Sequence, residues 1–361
     1  MLGPDDHYIV ISADTHAGGS HAQYREFLDE KYVADFDAWR EKYKNPFKDL
    51  KDTDQRVRNW DSERRDTDQN GDGVVGEVIF PNTVPPFFPN FVLFAQPPTP
   101  EEYEHRHAGV QAHNRWLADY VSEKPAQRAG IGQVFLNDVD DAIADAKWCK
   151  ENGLRGGILV GSVPPTCDWI KPLYDPAYDP LWAFCERFPN LKFTITEAGC
   201  AWIPAFLTQL DDLMAGIRAN KVGEMRIGGE LVPPRSASEY FQQSCHVGIS
   251  QPRPLDVAAA LGDKVGIDRV MWGSDYPHDE GTYPYTTEHF RQVFSGLEPE
   301  QVQQILAGNA AELYGFDLEA LRPLADKFGP TVTEVRQPLT ELPAEPNQAL
   351  VNSAKQLAAA S

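Results

Sequence analysis

The chain has 361 residues and carries 33 basic against 54 acidic side chains, a net charge of −21 with histidine neutral. Hydrophobic residues make up 42% and aromatic residues 11%, which is enough to build a large core and excludes an intrinsically disordered chain. A surface this acidic repels phosphate backbones, so the composition argues against a nucleic-acid-binding protein.

Short β-rich runs alternate with helical patterns along most of the chain. The predicted strands are the mainly apolar segments 8–13, 75–80, 130–136, 157–160, 192–196, 246–249 and 269–272. The predicted helices cover 101–123, 139–152, 180–187, 202–218, 256–262, 286–295 and 299–314. Such alternation predicts a parallel α/β sheet with both faces covered. Because no glycine-rich nucleotide motif follows a strand, a closed barrel is favoured over a nucleotide-binding sheet.

The remaining segments predict additions to one barrel domain spanning residues 1–320. A polar, weakly periodic stretch at about 20–70 indicates an insertion after the first strand. Residues 321–361 are expected to form a partly disordered C-terminal extension. Two aspartates stand where a signal peptide would carry positive charge, and no apolar run is long enough to span a membrane. We therefore expect a cytoplasmic protein without membrane contact. Five cysteines without a CxxC pair predict reduced thiols.

The first candidate site is Asp14-Thr15-His16, at the end of the opening strand. Residues i and i+2 of a strand face the same side, so the carboxylate and the imidazole can converge on one point. At the carboxyl end of a barrel strand, this pair suits a divalent metal such as Zn²⁺ or Mn²⁺. The alternative is that Asp14 caps the following turn and His16 is a solvated loop residue.

Two further carboxylates follow predicted strands. Asp275 lies in MWGSDYPH, after the last strand, where an acid can bind a metal and take a proton from its water. Its alternative role is to stabilise a turn. Glu197 lies in TITEAGCAW, again at a strand end, and its alternative role is helix capping.

Taken together, ISADTHAGG, KFTITEAGCAWIP, VMWGSDYPH and ILAGNAAELYGF resemble amidohydrolase-related proteins (amidohydrolase family 2) of the aminocarboxymuconate-semialdehyde decarboxylase-like group. The resemblance extends from about Tyr8 to Phe316. It implies a distorted (β/α)8 barrel of the metal-dependent hydrolase type with one divalent metal ion. Members hydrolyse C–O, C–N or C–C bonds, or decarboxylate aromatic and vinylogous acids.

The resemblance also implies roles for individual residues. Asp14 and His16 match the ligand pair of the first strand, with aspartate in place of the more familiar first histidine. Asp275 matches the last-strand aspartate, which binds metal and relays protons. Glu197 stands where many relatives have a histidine, and His278 is expected to support Asp275 or to face the substrate. Zn²⁺ is the expected ion, with Mn²⁺ or another divalent ion as the alternative.

One expected element is missing from the sequence. Relatives supply a metal-binding histidine from a fifth strand, but here the WAFCE segment ending at Glu186 leads through only RFPNL into KFTITEAG. The seven predicted strands are therefore one short of a closed barrel, and the histidine is absent. A site made of Asp14, His16 and Asp275 has one neutral donor fewer than the site of the relatives and contains two anions. This donor set shifts the metal preference toward harder ions.

These observations predict an enzyme of the amidohydrolase superfamily that acts on a small organic, aromatic or carboxylated substrate. The main expectation is hydrolysis by metal-activated water, with Asp275, Glu197 and His278 as the catalytic residues. One alternative is metal-dependent non-oxidative decarboxylation. Another is a catalytically impaired or non-catalytic relative, because the fifth-strand ligand is missing. A homodimer that covers the gap is compatible with the sequence.

Overall fold

The computed structural model describes residues 2–44, 56–91, 95–161, 163–186, 191–219, 221 and 232–360. Its eight strand segments are β1 Ile11–Ala17, β2 Gly76–Pro81, β3 Arg128–Gly130, β4 Gly132–Val134, β5 Ile158–Val160, β6 Phe193–Ile195, β7 Cys245–Ser250 and β8 Val270–Gly273. All seven predicted strands are thus confirmed, and the third is divided at Ile131 into β3 and β4.

Fifteen α-helices lie in the described residues. They are α1 His21–Phe27, α2 Glu30–Lys42, α3 Ser62–Gly71, α4 Tyr103–Ser122, α5 Val139–Glu151, α6 Asp179–Glu186, α7 Ile203–Arg218, α8 Ala237–Ser244, α9 Pro254–Ala260, α10 Thr286–Val293, α11 Pro299–Gln303, α12 Asn309–Tyr314, α13 Leu318–Phe328, α14 Val332–Arg336 and α15 Gln348–Ala360. Within the described residues, no helix is both long and apolar enough to cross a membrane.

The strand pairs are parallel, as the apolar strand runs predicted. β2 lies between β1 and β3, β4 pairs with β5, and β7 lies between β6 and β8. Beyond β8 the chain pairs with β1, because the Asp275 amide donates to Asp14 O at 2.9 Å and the His16 amide donates to Tyr276 O at 2.7 Å. This α/β arrangement is TIM-barrel-like.

The described strands form three sheets, with one break between β3 and β4, inside the third predicted strand, and the other between β5 and β6. Among the described residues, no strand pairing joins β5 to β6. In the described residues between them there is one α-helix, α6, and Phe193 at the start of β6 is 50% exposed. The break between β5 and β6 falls where the sequence predicts the missing unit.

The core lies on both sides of the strands. Fully buried Trp272 of β8 packs edge-on against Phe290 of α10, with ring centroids 4.9 Å apart. The polar insertion forms α1, α2 and α3, and residues 45–55 lie outside the described part of the chain. In the C-terminal extension, Val335 and Leu350 are completely buried. The boundary between domain and extension stays a prediction.

Strand β1 is irregular where the first site residues lie. Its register against β2 shifts between Ser12 and Thr15: Ser12 pairs with Glu77, whereas Thr15 pairs with Ile79. Three steps along β1 thus correspond to two along β2, which is a bulge. Bulges re-aim side chains near functional sites, and this one includes Asp14.

Candidate metal centre

The carboxyl ends of three strands bring four predicted residues together. Asp14 and His16 come from β1, Glu197 follows β6, and Asp275 follows β8. One ligand atom from each of the four lies within 4.8 Å of the others, and we call this group the carboxylate–histidine cluster. Asp14, His16 and Asp275 are buried, whereas the Glu197 side chain is 43% exposed. The cluster therefore has one side open to solvent.

Three carboxylates surround a single imidazole nitrogen. His16 Nε2 lies 3.3 Å from Asp14 Oδ1, 3.1 Å from Glu197 Oε1 and 3.1 Å from Asp275 Oδ1. Burial lowers the pKa of His16, but the three carboxylates outweigh burial and raise it well above its ordinary value. Burial raises the pKa of Asp275, yet its bonds to His16 and His278 hold it well below the usual range.

The same atoms fit a divalent cation. His16 Nε2 and Asp14 Oδ1 are buried without a hydrogen-bond partner of acceptable geometry, although carboxylate oxygens lie close to the nitrogen. A cation satisfies both kinds of atom at once, because imidazole nitrogen and carboxylate oxygen are its usual ligands. The donor set therefore fits the divalent metal that the sequence predicts, but it does not single out zinc.

His278 lies against the cluster, as expected. Its Nδ1 is 2.7 Å from Asp275 Oδ1, and its ring stacks on the His16 ring with centroids 4.2 Å apart. His278 Nε2 lies 3.1 Å from Asn82 Oδ1, and Asn82 follows β2 directly. The side chain is 30% exposed, so His278 connects buried Asp275 with solvent.

Three polar residues that the sequence analysis missed hold the carboxylates. Asp14 Oδ2 accepts hydrogen bonds from the hydroxyl groups of Ser250 and, at 3.2 Å, Thr196. Gln251 Nε2 donates to Asp275 Oδ2 at 3.1 Å. All three lie at the ends of β6 and β7, the ends where the site is located, and that position is the only signal in the sequence that could have found them.

The backbone at these strand ends is unusual. Glu197, Gln251 and Asp275 have φ values of 56°, 54° and 61°, a left-handed conformation that glycine adopts far more readily. Gly273 shows how little space is left, because a Cβ atom there would lie 2.5 Å from Asp14 Cβ. Non-glycine residues in this conformation concentrate at functional sites.

A cavity of about 430 Å³ opens beside the ends of β1 and β2. Its basic lining residues are Arg25, Arg40 and Arg56, and its aromatic lining residues are Phe36, Tyr43 and Trp60; we call it the arginine pocket.

The Arg25 guanidinium is paired with Asp37 at 2.8 Å. Within the described residues, Arg40 and Arg56 have no ion-pair partner. Burial, followed by the positive charges of Arg40 and Arg56, lowers the pKa of His21 in this pocket to about 4.

The family comparison agrees with the motifs. Residues 185–316 match the family model described as Amidohydrolase. The predicted resemblance to amidohydrolase-related proteins is confirmed over these residues, which are 132 of the 361 in the chain. No curated protein matches the chain.

Solved structures with a similar fold include two 5-carboxyvanillate decarboxylases. The Sphingomonas paucimobilis enzyme is 15% identical with a TM-score of 0.61, over 86% of this chain and 100% of that one. The other enzyme is from Novosphingobium aromaticivorans DSM 12444 and is complexed with manganese and 4-hydroxy-3-methoxy-5-nitrobenzoic acid. It is 16% identical with a TM-score of 0.61, and the match covers 87% of this chain and 98% of that one. A 2,6-dihydroxybenzoate decarboxylase complexed with 2,6-dihydroxybenzoate is 16% identical with a TM-score of 0.52. The match covers 86% of this chain and 99% of that one. At these identities the similarity establishes the fold.

Proposed function

We propose that this protein is a metal-dependent decarboxylase of a small aromatic carboxylic acid. The observation that carries the proposal is the convergence of three carboxylates on buried His16 Nε2. Asp14, His16, Glu197 and Asp275 would hold the ion. When bound, the cation would polarise the carboxylate of the substrate and neutralise charge that develops during the reaction.

The donor set also favours one kind of ion. One imidazole and three carboxylates make a harder site than the histidine-rich sites that zinc enzymes use. We therefore propose Mn²⁺ in preference to Zn²⁺, and the Novosphingobium relative was solved with manganese. We further propose that the fifth βα unit of the barrel is absent, since β5 and β6 remain unpaired among the described residues.

The arginine pocket supports a carboxylated aromatic substrate. Guanidinium groups would bind a second anionic group of the substrate, apart from the carboxylate at the cation, and aromatic side chains would pack against its planar ring. The pocket concentrates positive charge in a chain whose net charge is −21, so it would attract an anion that the rest of the surface repels. The relatives of similar fold include decarboxylases of aromatic acids.

In the proposed reaction, the bond between the ring carbon and the carboxylate carbon breaks and CO₂ leaves. The electron pair of that bond stays on the ring carbon, which takes up one proton. Asp275 would carry this proton, because its carboxylate reaches both the cluster and His278 Nδ1. His278 would return a proton from solvent through its exposed edge.

A direct assay separates decarboxylation from hydrolysis. After removal of bound metal and addition of Mn²⁺, the protein is incubated with hydroxylated benzoic acids and, in parallel, with aryl esters and amides. We expect stoichiometric CO₂ and the corresponding arene from at least one acid, and no turnover of the esters or amides. Turnover of esters or amides alone would replace the proposal with the hydrolase alternative, and no turnover at all would contradict both.

The pocket arginines should govern substrate affinity. In the double variant Arg40→Ala/Arg56→Ala, we expect KM for the carboxylated substrate to rise about tenfold or more with little change in kcat, because charge-assisted hydrogen bonds are lost. Steady-state kinetics measure both values. Arg336→Ala, which removes an exposed arginine remote in sequence, is the control and should leave KM unchanged. An unchanged KM in the double variant would place the substrate elsewhere.

A further inference from the structure

A buried ion pair links the insertion helix α3 to strand β2. Arg65 of α3 is completely buried, and Glu77 of β2 is 4% exposed. Arg65 Nη2 donates to Glu77 Oε2 at 2.6 Å, and Arg65 Nε donates to Glu77 Oε1 at 3.0 Å. This geometry is bidentate, the strongest form of an arginine–carboxylate contact.

The ion pair also bonds to the bulged part of β1. Arg65 Nη1 donates to the carbonyl oxygen of His16 at 2.8 Å, and the Thr15 hydroxyl donates to Glu77 Oε2 at 2.9 Å. The His16 amide donates to Tyr276 O at 2.7 Å, and the Arg65 guanidinium lies 4.9 Å from the centroid of the Tyr276 ring. The amide and the carbonyl group of His16 are thus both hydrogen-bonded by residues that lie outside strands β1 and β2.

We propose that Arg65 and Glu77 are positioning residues for the metal site. They would hold His16 and, through the same bulge, Asp14 in the orientation that binds the cation. The inference rests on the proposed metal site. It goes beyond that site by assigning the insertion helix α3 a part in metal affinity.

The energetics of buried charges favour this role over a purely stabilising one. Taking two charges out of water costs several kcal/mol, and a buried ion pair often adds no net stability over apolar residues of similar volume. Beside its bonds to Gln69 and to Arg58 O, the pair bonds to Thr15 and to His16 O, next to and within the ligand pair. Groups that orient metal ligands typically account for 10- to 100-fold in affinity.

The chain offers a matched control in Arg128. It is also buried, at 1% exposure, and its Nε lies 3.5 Å from Glu77 Oε1. Its other charged contacts are to Asp66 at 3.0 Å and Glu123 at 3.3 Å, and no hydrogen bond to His16 is formed. Arg128→Lys therefore perturbs the same buried charge network without touching the ligand strand at His16.

The test compares metal affinity with stability in the full-length chain. For Arg65→Lys, in which one ammonium cannot reach both Glu77 and His16 O, we expect Mn²⁺ binding measured by calorimetry to weaken about 10- to 100-fold. The Arg128→Lys variant should bind Mn²⁺ within about twofold of the wild type. The Tm of each metal-free variant is measured alongside, because a merely structural role would lower Tm in both variants and leave the affinity alone.

A second variant keeps the proposal open to refutation if Arg65→Lys does not fold. The double change Arg65→Met/Glu77→Leu removes both charges, so no unpaired charge is buried. We expect it to fold and to bind Mn²⁺ as weakly as Arg65→Lys. Wild-type affinity in either folded variant would overturn the positioning role. If the wild-type protein itself bound no Mn²⁺, the proposed metal site and function would fail first, which is a distinct result.

Discussion

Replacing Asp275 with asparagine will abolish turnover, with a loss of about 10³-fold or more in kcat. Asparagine keeps the size of the side chain but removes the charge next to His16 Nε2 and the group that we propose to carry the proton. It can still accept a hydrogen bond from Gln251, which now bonds Asp275 at 3.1 Å. We therefore expect a folded protein with little activity, measured by CO₂ release under saturating Mn²⁺.

Asp268→Asn is the control for this substitution. Asp268 precedes β8 by two residues, its side chain is 58% exposed, and it contacts Arg269 at 3.4 Å. The control should retain wild-type kinetics. If Asp275→Asn kept more than about a tenth of the wild-type kcat, Asp275 could not be the proton carrier.

Mn²⁺ will stabilise the fold, and chelation will destabilise it. Three carboxylates lie around one imidazole, and a divalent cation bound among them would neutralise more of their charge than one protonated imidazole does. At a free Mn²⁺ concentration of 100 times Kd, binding stabilises the native state by about 2.7 kcal/mol. For a chain of this length, that corresponds to a rise in Tm on the order of 3 °C. Thermal unfolding with and without a chelator measures the shift.

The dependence of this Tm shift on Mn²⁺ tests whether His16 binds the ion. His16→Ala removes the central ligand, so its Tm should become insensitive to Mn²⁺. His289→Ala is the comparison, because His289 is equally buried but lies on α10, outside the cluster. It should keep the Mn²⁺-induced shift even if its own Tm is lower. A shift that persisted in His16→Ala would assign the ion to another site.

Much of the fold and of the candidate site could be predicted from local pattern. Apolar runs between turn signals located the strands, because buried parallel strands must be apolar on both faces. The spacing of Asp14 and His16 placed both on one side of β1, and Glu197 and Asp275 stood directly after strands. The carboxyl ends of parallel strands meet at one end of the sheet, so these residues could be expected together.

The rest depends on contacts between distant segments. Ser250 and Thr196 reach Asp14 only because β6, β7 and β1 converge, and hydroxyl residues at strand ends are too common to carry that information alone. The insertion looked polar and weakly periodic because its helix α3 buries charge, in Arg65, rather than an apolar face. A pattern of hydrophobic residues cannot reveal a helix of that kind.

The left-handed residues at the strand ends have a consequence for the life of the protein in a cell. Such backbone costs roughly 1–2 kcal/mol for each non-glycine residue, and Glu197, Gln251 and Asp275 are all in this state. Their sum, about 3–6 kcal/mol, reaches the lower end of the roughly 5–15 kcal/mol by which a domain stays folded. Bound metal would offset part of that cost, and proteases remove chains that unfold. We expect metal-starved cells to degrade this protein faster, so that its abundance follows the supply of the ion.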